Sequence, residues 1–162
     1  MDIKIHPGYI PGCIGRISEM HTLYYSQLVG FGVAFEAKVA RELAEFCVRY
    51  DEQMDGLRLV LGNDRFLGSF AIDGLHTNCE GAHLRGFLVT DKIRGGGIGN
   101  KSMEAAIGFC REKNYKQIYL NTFSGLDAAR HLYEKFGFRL VKEELGAVWV
   151  KEVLEQRFEF ND

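Results

Sequence analysis

Apolar positions along the 162-residue chain change their spacing several times, and each change marks an element. After a start punctuated by glycine and proline, "CIGRIS" reads as a short strand. Met20, Leu23, Tyr24 and Leu28 then recur at helical spacing, which predicts a first helix with those side chains on its apolar stripe. "GFG" at residues 30–32 breaks it. A second helix starts near Phe35, carrying Phe35, Val39, Leu43, Phe46, Cys47 and Tyr50 on one stripe and charges on the other face. From Gly56 the period becomes that of strands: "LRLVLG", the turn "GND" and "RFLGSFAI" predict a hairpin, and "AHLRGFLVT" predicts a third strand.

Downstream, Met103, Ala106, Ile107 and Cys110 fall at i, i+3, i+4 and i+7, the clearest amphipathic helix signal in the chain. "KQIYLN" predicts a short buried strand. "SGLDAARHLYEKFG" predicts a helix opened by Ser124 and Asp127 as a capping-box variant and stopped at Gly137. "FRLVKEE" and "AVWVKEVLEQRFEF" read as a closing antiparallel pair. The order β, α, α, β, β, β, α, β, α, β, β mixes hairpins with strand–helix–strand crossovers, so a mixed sheet flanked by helices is expected, in one domain over residues 1–162. "VLEQRFEF" alternates as an exposed strand would, and pairing of that strand with a second copy would make a homodimer.

Charge narrows the partners. Lys and Arg (20) nearly balance Asp and Glu (22), which argues against non-specific nucleic-acid binding and against a polybasic membrane anchor. "MDIKIHPGYIPG" has no apolar signal region, and no run of about 18 apolar residues is present, so a cytoplasmic protein is expected. Cys13, Cys47, Cys79 and Cys110 show no C-x-x-C spacing and read as reduced thiols. His6, His76 and His131 have no metal-like spacing, so no metal is expected.

The stretch "VTDKIRGGGIGNKSMEAA" holds the densest glycine run. It misses a P-loop because Asn100 stands where the second glycine belongs, and it misses the dinucleotide fingerprint for the same kind of reason. It does fit R-x-x-G-x-G through Arg94, Gly97 and Gly99, between an apolar strand and a strong helix. Backbone N–H groups free of a Cβ and the positive end of a helix make such a loop an anion cradle.

With "LYEKFGF" downstream, the stretch from "HLRGFLVTDKIRGGGIGNKSMEAA" to "YEKFGFRLV" resembles the GNAT-type N-acetyltransferases. "LYYSQLVGFGVAFEAKVARELAEF" and "GLDAARHLYEKFGFRLV" look in particular like the acetyltransferase half of bacterial proteins that carry a MarR-type regulator ahead of it; no such regulator is read in this chain. The resemblance implies an α/β (α+β) fold, with a mixed, mostly antiparallel sheet of six to seven strands, a central splayed parallel pair and about four helices. It implies acetyl-CoA as co-substrate and direct acetyl transfer to a primary amine of a small molecule, amino acid, peptide or protein. The alternative it leaves open is a non-catalytic acetyl-CoA or CoA sensor serving a regulator.

Residue by residue, the resemblance assigns the backbone of Phe87, Leu88 and Val89 to the pantetheine arm. Arg94, Gly95, Gly96, Gly97, Ile98 and Gly99 fall to the pyrophosphate, with Asn100 and Lys101 as added polar contacts. Tyr133 takes the place of the acid that protonates the leaving thiolate. Where the family has an asparagine seven residues earlier, this chain has Leu126, and Asn121 is the substitute considered. His83 is the candidate base, because its ordinary pKa near 6.5 suits an amine proton. Strand spacing puts His83, Arg85, Phe87 and Val89 on one face. Tyr24, Glu36, Asp73 and Arg85 are candidate acceptor contacts, with His21 and Glu80 nearby, while Trp149 and Phe158 are open to packing, acceptor wall or dimer contact.

Overall fold

The computed structural model describes residues 2–90 and 97–162. Seven strands form one sheet: β1 (Ile3–Pro7), β2 (Gly56–Gly62), β3 (Arg65–Asp73), β4 (Ala82–Val89), β5 (Gln117–Phe123), β6 (Arg139–Gly146) and β7 (Val153–Asn161), in the order β1-β2-β3-β4-β5-β7-β6. Every neighbouring pair is antiparallel except β4 and β5. The expected mixed sheet with a central parallel pair is therefore present, together with helices α1 (Cys13–Val29), α2 (Val33–Arg49), α3 (Ile98–Glu112) and α4 (Asp127–Lys135).

The element order agrees with the sequence reading, but the first strand is elsewhere. "CIGRIS" opens α1, and the strand is "IKIHP", whose Ile3 and Ile5 alternate and whose Pro7 is tolerated at the sheet edge. The hairpin β2–β3 turns at Asn63 and Asp64, both at positive φ as a tight two-residue turn requires. Strand β7 lies between β5 and β6, so both its edges are paired and it offers no free edge to a second copy. The free edges belong to β1 and β6. No side chain caps α4 at its N-terminal position, which Leu126 occupies, so the Ser124–Asp127 capping box does not form.

The two faces of the sheet are covered by different helix pairs. Against one face, α3 and α4 seat Met103, Ala106, Ile107, Cys110 and Tyr133 on Phe70, Ile72, Leu84, Ile118, Leu120 and Phe158. Against the other, α1 and α2 seat Cys13, Ile17 and Phe46 on Leu57, Leu59 and Ala71. Helix α1 turns Cys13, Ile17, His21 and Tyr25 inward at four-residue spacing, whereas Leu23 and Leu28 of the expected stripe are about half exposed. The true inward face is partly polar because part of it borders a cavity instead of a solid core. Among the described residues, no helix is long and apolar enough to cross a membrane.

Candidate functional site

The parallel pair is held by two registered positions only, Ala82 opposite Ile118 and His83 opposite Tyr119. Beyond them the strands diverge, so backbone groups of β4 that face β5 are left without a strand partner. On its other side, β4 bulges: Ala71 pairs with Arg85 and Ser69 with Leu88, so Gly86 and Phe87 together oppose Phe70. Gly86 sits at φ +58, a conformation that glycine adopts without the Cβ penalty. The extra residue reverses the side-chain alternation. His83 and Arg85 face the α1–α2 side, while Phe87 stacks on Phe70 at 5.9 Å within the opposite core. The four residues expected on one face are therefore split by the bulge.

A cavity of about 350 Å³ runs through this opening. Its wall combines His21, Tyr25 and Phe46 from the α1–α2 side with Leu84, Leu120 and Tyr133 from the α3–α4 side, and Gly86 lies between them. The splay thus brings α1 and α4 to the same space through the sheet.

Tyr133 is buried, in ring contact with Phe87, Phe138 and Phe158, and burial pushes its phenol above the ordinary value. It stays protonated at neutral pH. Tyr25 shares the cavity, with its phenol raised by burial and, secondarily, by Tyr133. Sequence reasoning chose Tyr24 instead, which stands edge-on to Tyr25 at 5.0 Å and does not line the cavity.

His21 is the residue that sequence reasoning undervalued. Its Nδ1 lies 2.8 Å from the Ile17 carbonyl. Because a carbonyl only accepts, Nδ1 carries the proton and Nε2 of the neutral ring is bare. Nε2 faces the bulge, where a methyl group built on Gly86 would come within 3.7 Å of it. Burial lowers the His21 pKa, and the backbone of Ile17 and of Gly86, by favouring the charged ring, works against that shift.

His83 is in a different situation. It stacks on Tyr119 with ring centroids 4.4 Å apart and planes 13° from parallel, and burial, aided by the Arg85 charge, drives its pKa down to about 3. It reaches the cavity wall as a very weak base.

The expected acceptor carboxylates are otherwise engaged. Asp73 receives Arg49, the Arg85 guanidinium at 2.8 Å and the Leu75 N–H at 3.0 Å. Burial acts to raise its pKa, but these bonds outweigh it and hold the carboxyl below its usual range. Glu36 lies on an outer groove with Ser18, Glu19 and Thr22, away from the cavity, and Glu80 pairs with Arg157 at 3.5 Å. Arg85 does line the cavity, as do Asn121, Lys38 and Glu42.

The start of α3 fits an anion cradle. Gly97 is its N-terminal flanking residue at φ +69, and no heavy atom lies within 4 Å of where a Cβ would stand. The first helical N–H groups that follow have no intrahelical acceptor. Ile98 turns its side chain into the core beside Val60 and Leu67, leaving only its backbone for a ligand. Asn100 accepts a hydrogen bond from Lys135 at 3.0 Å, and Lys101 is exposed. Arg94, Gly95 and Gly96 lie outside the described residues.

Comparison with known proteins decides the family. The profile of the acetyltransferase (GNAT) family matches residues 20–138. The chain belongs to that family. It is 31% identical over 85 residues to N-alpha-acetyltransferase 30 of Schizosaccharomyces pombe, an alignment that spans 49% of this chain and 55% of that protein. The match thus extends over only about half of the curated relative. Among solved structures, an acetyltransferase from Streptococcus agalactiae superposes with a TM-score of 0.77 at 17% identity, covering 99% of this chain and 98% of that one. A GNAT family acetyltransferase from Elizabethkingia anophelis with acetyl-CoA bound gives 0.61 at 17% identity, with coverage of 99% and 98%. At these identities the structures show a shared fold, which the seven-stranded sheet and four helices of this family member match.

Proposed function

We propose that this family member is an acetyl-CoA-dependent N-acetyltransferase that moves the acetyl group directly to a primary amine. The carrying observation is the cavity that threads the β4–β5 splay and brings His21 and Tyr133 to one space. The acetyl-CoA bound to the Elizabethkingia neighbour and the activity in the name of the Schizosaccharomyces relative support this reading.

When bound, acetyl-CoA supplies the activated thioester. The free backbone edge of β4 at Phe87, Leu88 and Val89 suits an extended amide-bearing arm, which would add to it as a strand would. Pyrophosphate is assigned to the loop from Arg94 to Gly99 and the start of α3, with Asn100 and Lys101 at its border. Bare Nε2 of His21 takes the proton of the incoming amine, and the neighbouring carbonyls favour the ring once charged. Tyr133 holds a proton where a departing sulfur needs one. An ammonium thus loses two protons, one to solvent by way of His21 and one that ends on sulfur as the amide forms. His83, with its low pKa, is less suited to this work than His21.

Calorimetric titration with acetyl-CoA, with ATP–Mg²⁺ as the competing ligand, tests the first half of this reading. Micromolar binding of acetyl-CoA alone is expected, and Gly97→Asp should abolish it, because a side chain is strained at that φ and the added carboxylate repels phosphate. Binding of ATP instead would sink it. A thiol-release assay tests the second half: His21→Gln should slow turnover and shift or remove the acid limb of the pH–rate profile. One observation favours a non-catalytic sensor as second reading, namely that Leu126 is folded into the cluster of Phe31, Phe35 and Phe123 instead of presenting an amide. Tight CoA binding with no thiol release from any amine would establish that reading.

A further inference from the structure

Part of the cavity wall is built by Val148 and Trp149, in the turn between β6 and β7, residues 147–152. Three bonds fix it. The Val148 N–H donates to Glu155 Oε2 at 2.8 Å, the Val150 N–H to the Ala147 carbonyl at 2.9 Å, and Lys151 Nζ to the Val29 carbonyl at the end of α1 at 2.8 Å. Val150 is held at φ +72, a conformation that β-branched residues rarely adopt, so the surrounding contacts over-determine the turn. The product of this arrangement is the placement of Trp149, edge-on to Phe123 at 5.4 Å. With Tyr25 and Phe35 these rings make an aromatic corner in the cavity wall.

The charges of the same wall cancel locally. Its one carboxylate among the described lining residues, Glu42, is paired with Lys38 at 2.5 Å one helical turn away. The nearby Asp73 is consumed by Arg49 and Arg85, and Asp55 by Arg49 at 2.8 Å and the N–H groups of Asp51 and Gly74. Among the described residues of this wall, a second ammonium on an acceptor would find no carboxylate without a cation already beside it, and burying it unpaired is costly. The Lys151 bond also ties the 147–152 turn, which carries the cavity-lining Val148 and Trp149, to the end of α1.

Resting on the acetyl-transfer reading above, we infer that the acceptor is a small monoamine with an apolar, ring-bearing body that fills the corner of Tyr25, Phe35, Phe123 and Trp149. Polyamines and the N-terminus of a protein chain are disfavoured, the first by the saturated carboxylates and the second by the fastened turn.

The test first establishes acetyl-CoA binding by calorimetry, then compares thiol release with 2-phenylethylamine, spermidine and a hexapeptide beginning Met-Leu. The native protein should favour 2-phenylethylamine in kcat/KM by about 10-fold or more over each of the others. Trp149→Ala should reduce that value about 10-fold while acetyl-CoA binding is kept. Lys38→Met, which frees Glu42, should raise the ratio of kcat/KM for spermidine to that for 2-phenylethylamine about 10-fold. Equal use of the three amines, preference for spermidine or the peptide, or bound acetyl-CoA with none of the three consumed would overturn the inference. Failure to bind acetyl-CoA is a different result, because it removes the acetyl-transfer reading itself.

Discussion

The two faces of the sheet are made from similar materials and do different things. On the α3–α4 face, large apolar side chains close on one another: Met103, Cys110 and Phe158 are fully buried, and burial alone pushes the Cys110 thiol up to about 12. On the α1–α2 face, the helices stand over a cavity, and their inward residues include His21, Tyr25, Lys38 and Glu42. One face stores stability and the other trades contacts for access. Opening the space between β4 and β5 lets a side chain rooted in the solid face, Tyr133, serve the open one.

Substitutions should separate the two roles. The largest stability loss belongs to the solid face: Phe158→Ala leaves a hole between α4 and the sheet and should cost about 3–5 kcal/mol in chemical denaturation. Tyr133→Phe removes one oxygen and keeps the ring contacts, so thermal melting should barely move while kcat falls about 100-fold. A loss of stability as large as that of the phenylalanine variant would make Tyr133 only a core aromatic. Gly86→Ala should act on both ledgers, at about 1–2 kcal/mol for a side chain at positive φ, with slower turnover because the methyl group meets Nε2 of His21.

The smallest effect is a slope. His83 has a folded pKa near 3 against 6.5 for the free side chain, so between those values the unfolded chain binds more protons than the native one. Stability is therefore fully present above about pH 6.5 and declines as the pH falls toward 3. His83→Gln should flatten that decline in melting experiments between pH 6.5 and 4. Part of the slope should survive, because the His21 pKa is lowered too. An unchanged slope would mean that His83 is more solvated than its stacking on Tyr119 implies.

The same contrast decides what was legible in the sequence. The solid face announces itself: Met103, Ala106, Ile107 and Cys110 are all buried, as their spacing requires. On the open face the inward stripe of α1 is Cys13, Ile17, His21 and Tyr25, which is less uniformly apolar than the rejected stripe through Leu23 and Leu28. Period finding follows hydrophobicity, and a helix that borders a cavity need not put its most hydrophobic side outward or inward by that rule alone. The expected stripe carried Tyr24, and the residue of this helix that lines the cavity beside His21 is its neighbour Tyr25.

The bulge hid a second fact. Counting by twos along "HLRGFLV" places His83, Arg85, Phe87 and Val89 together, and a single extra residue at Gly86 undoes the count. An isolated glycine within a strand pattern was the available signal, since such glycines often mark bulges. The engagement of Asp73 by Arg49 had no such signal, because the two residues are 24 positions apart and belong to different elements.

The two-position contact between β4 and β5 also sets a clock. In a fully paired central strand, amide protons trade with solvent only when the whole sheet opens, but here the amides of β4 beyond His83 that face β5 have no such protection to lose. Their exchange should be fast in the free protein while the β3-facing amides of the same strand remain slow. A ligand that lies along that edge would bring the two sets of rates together.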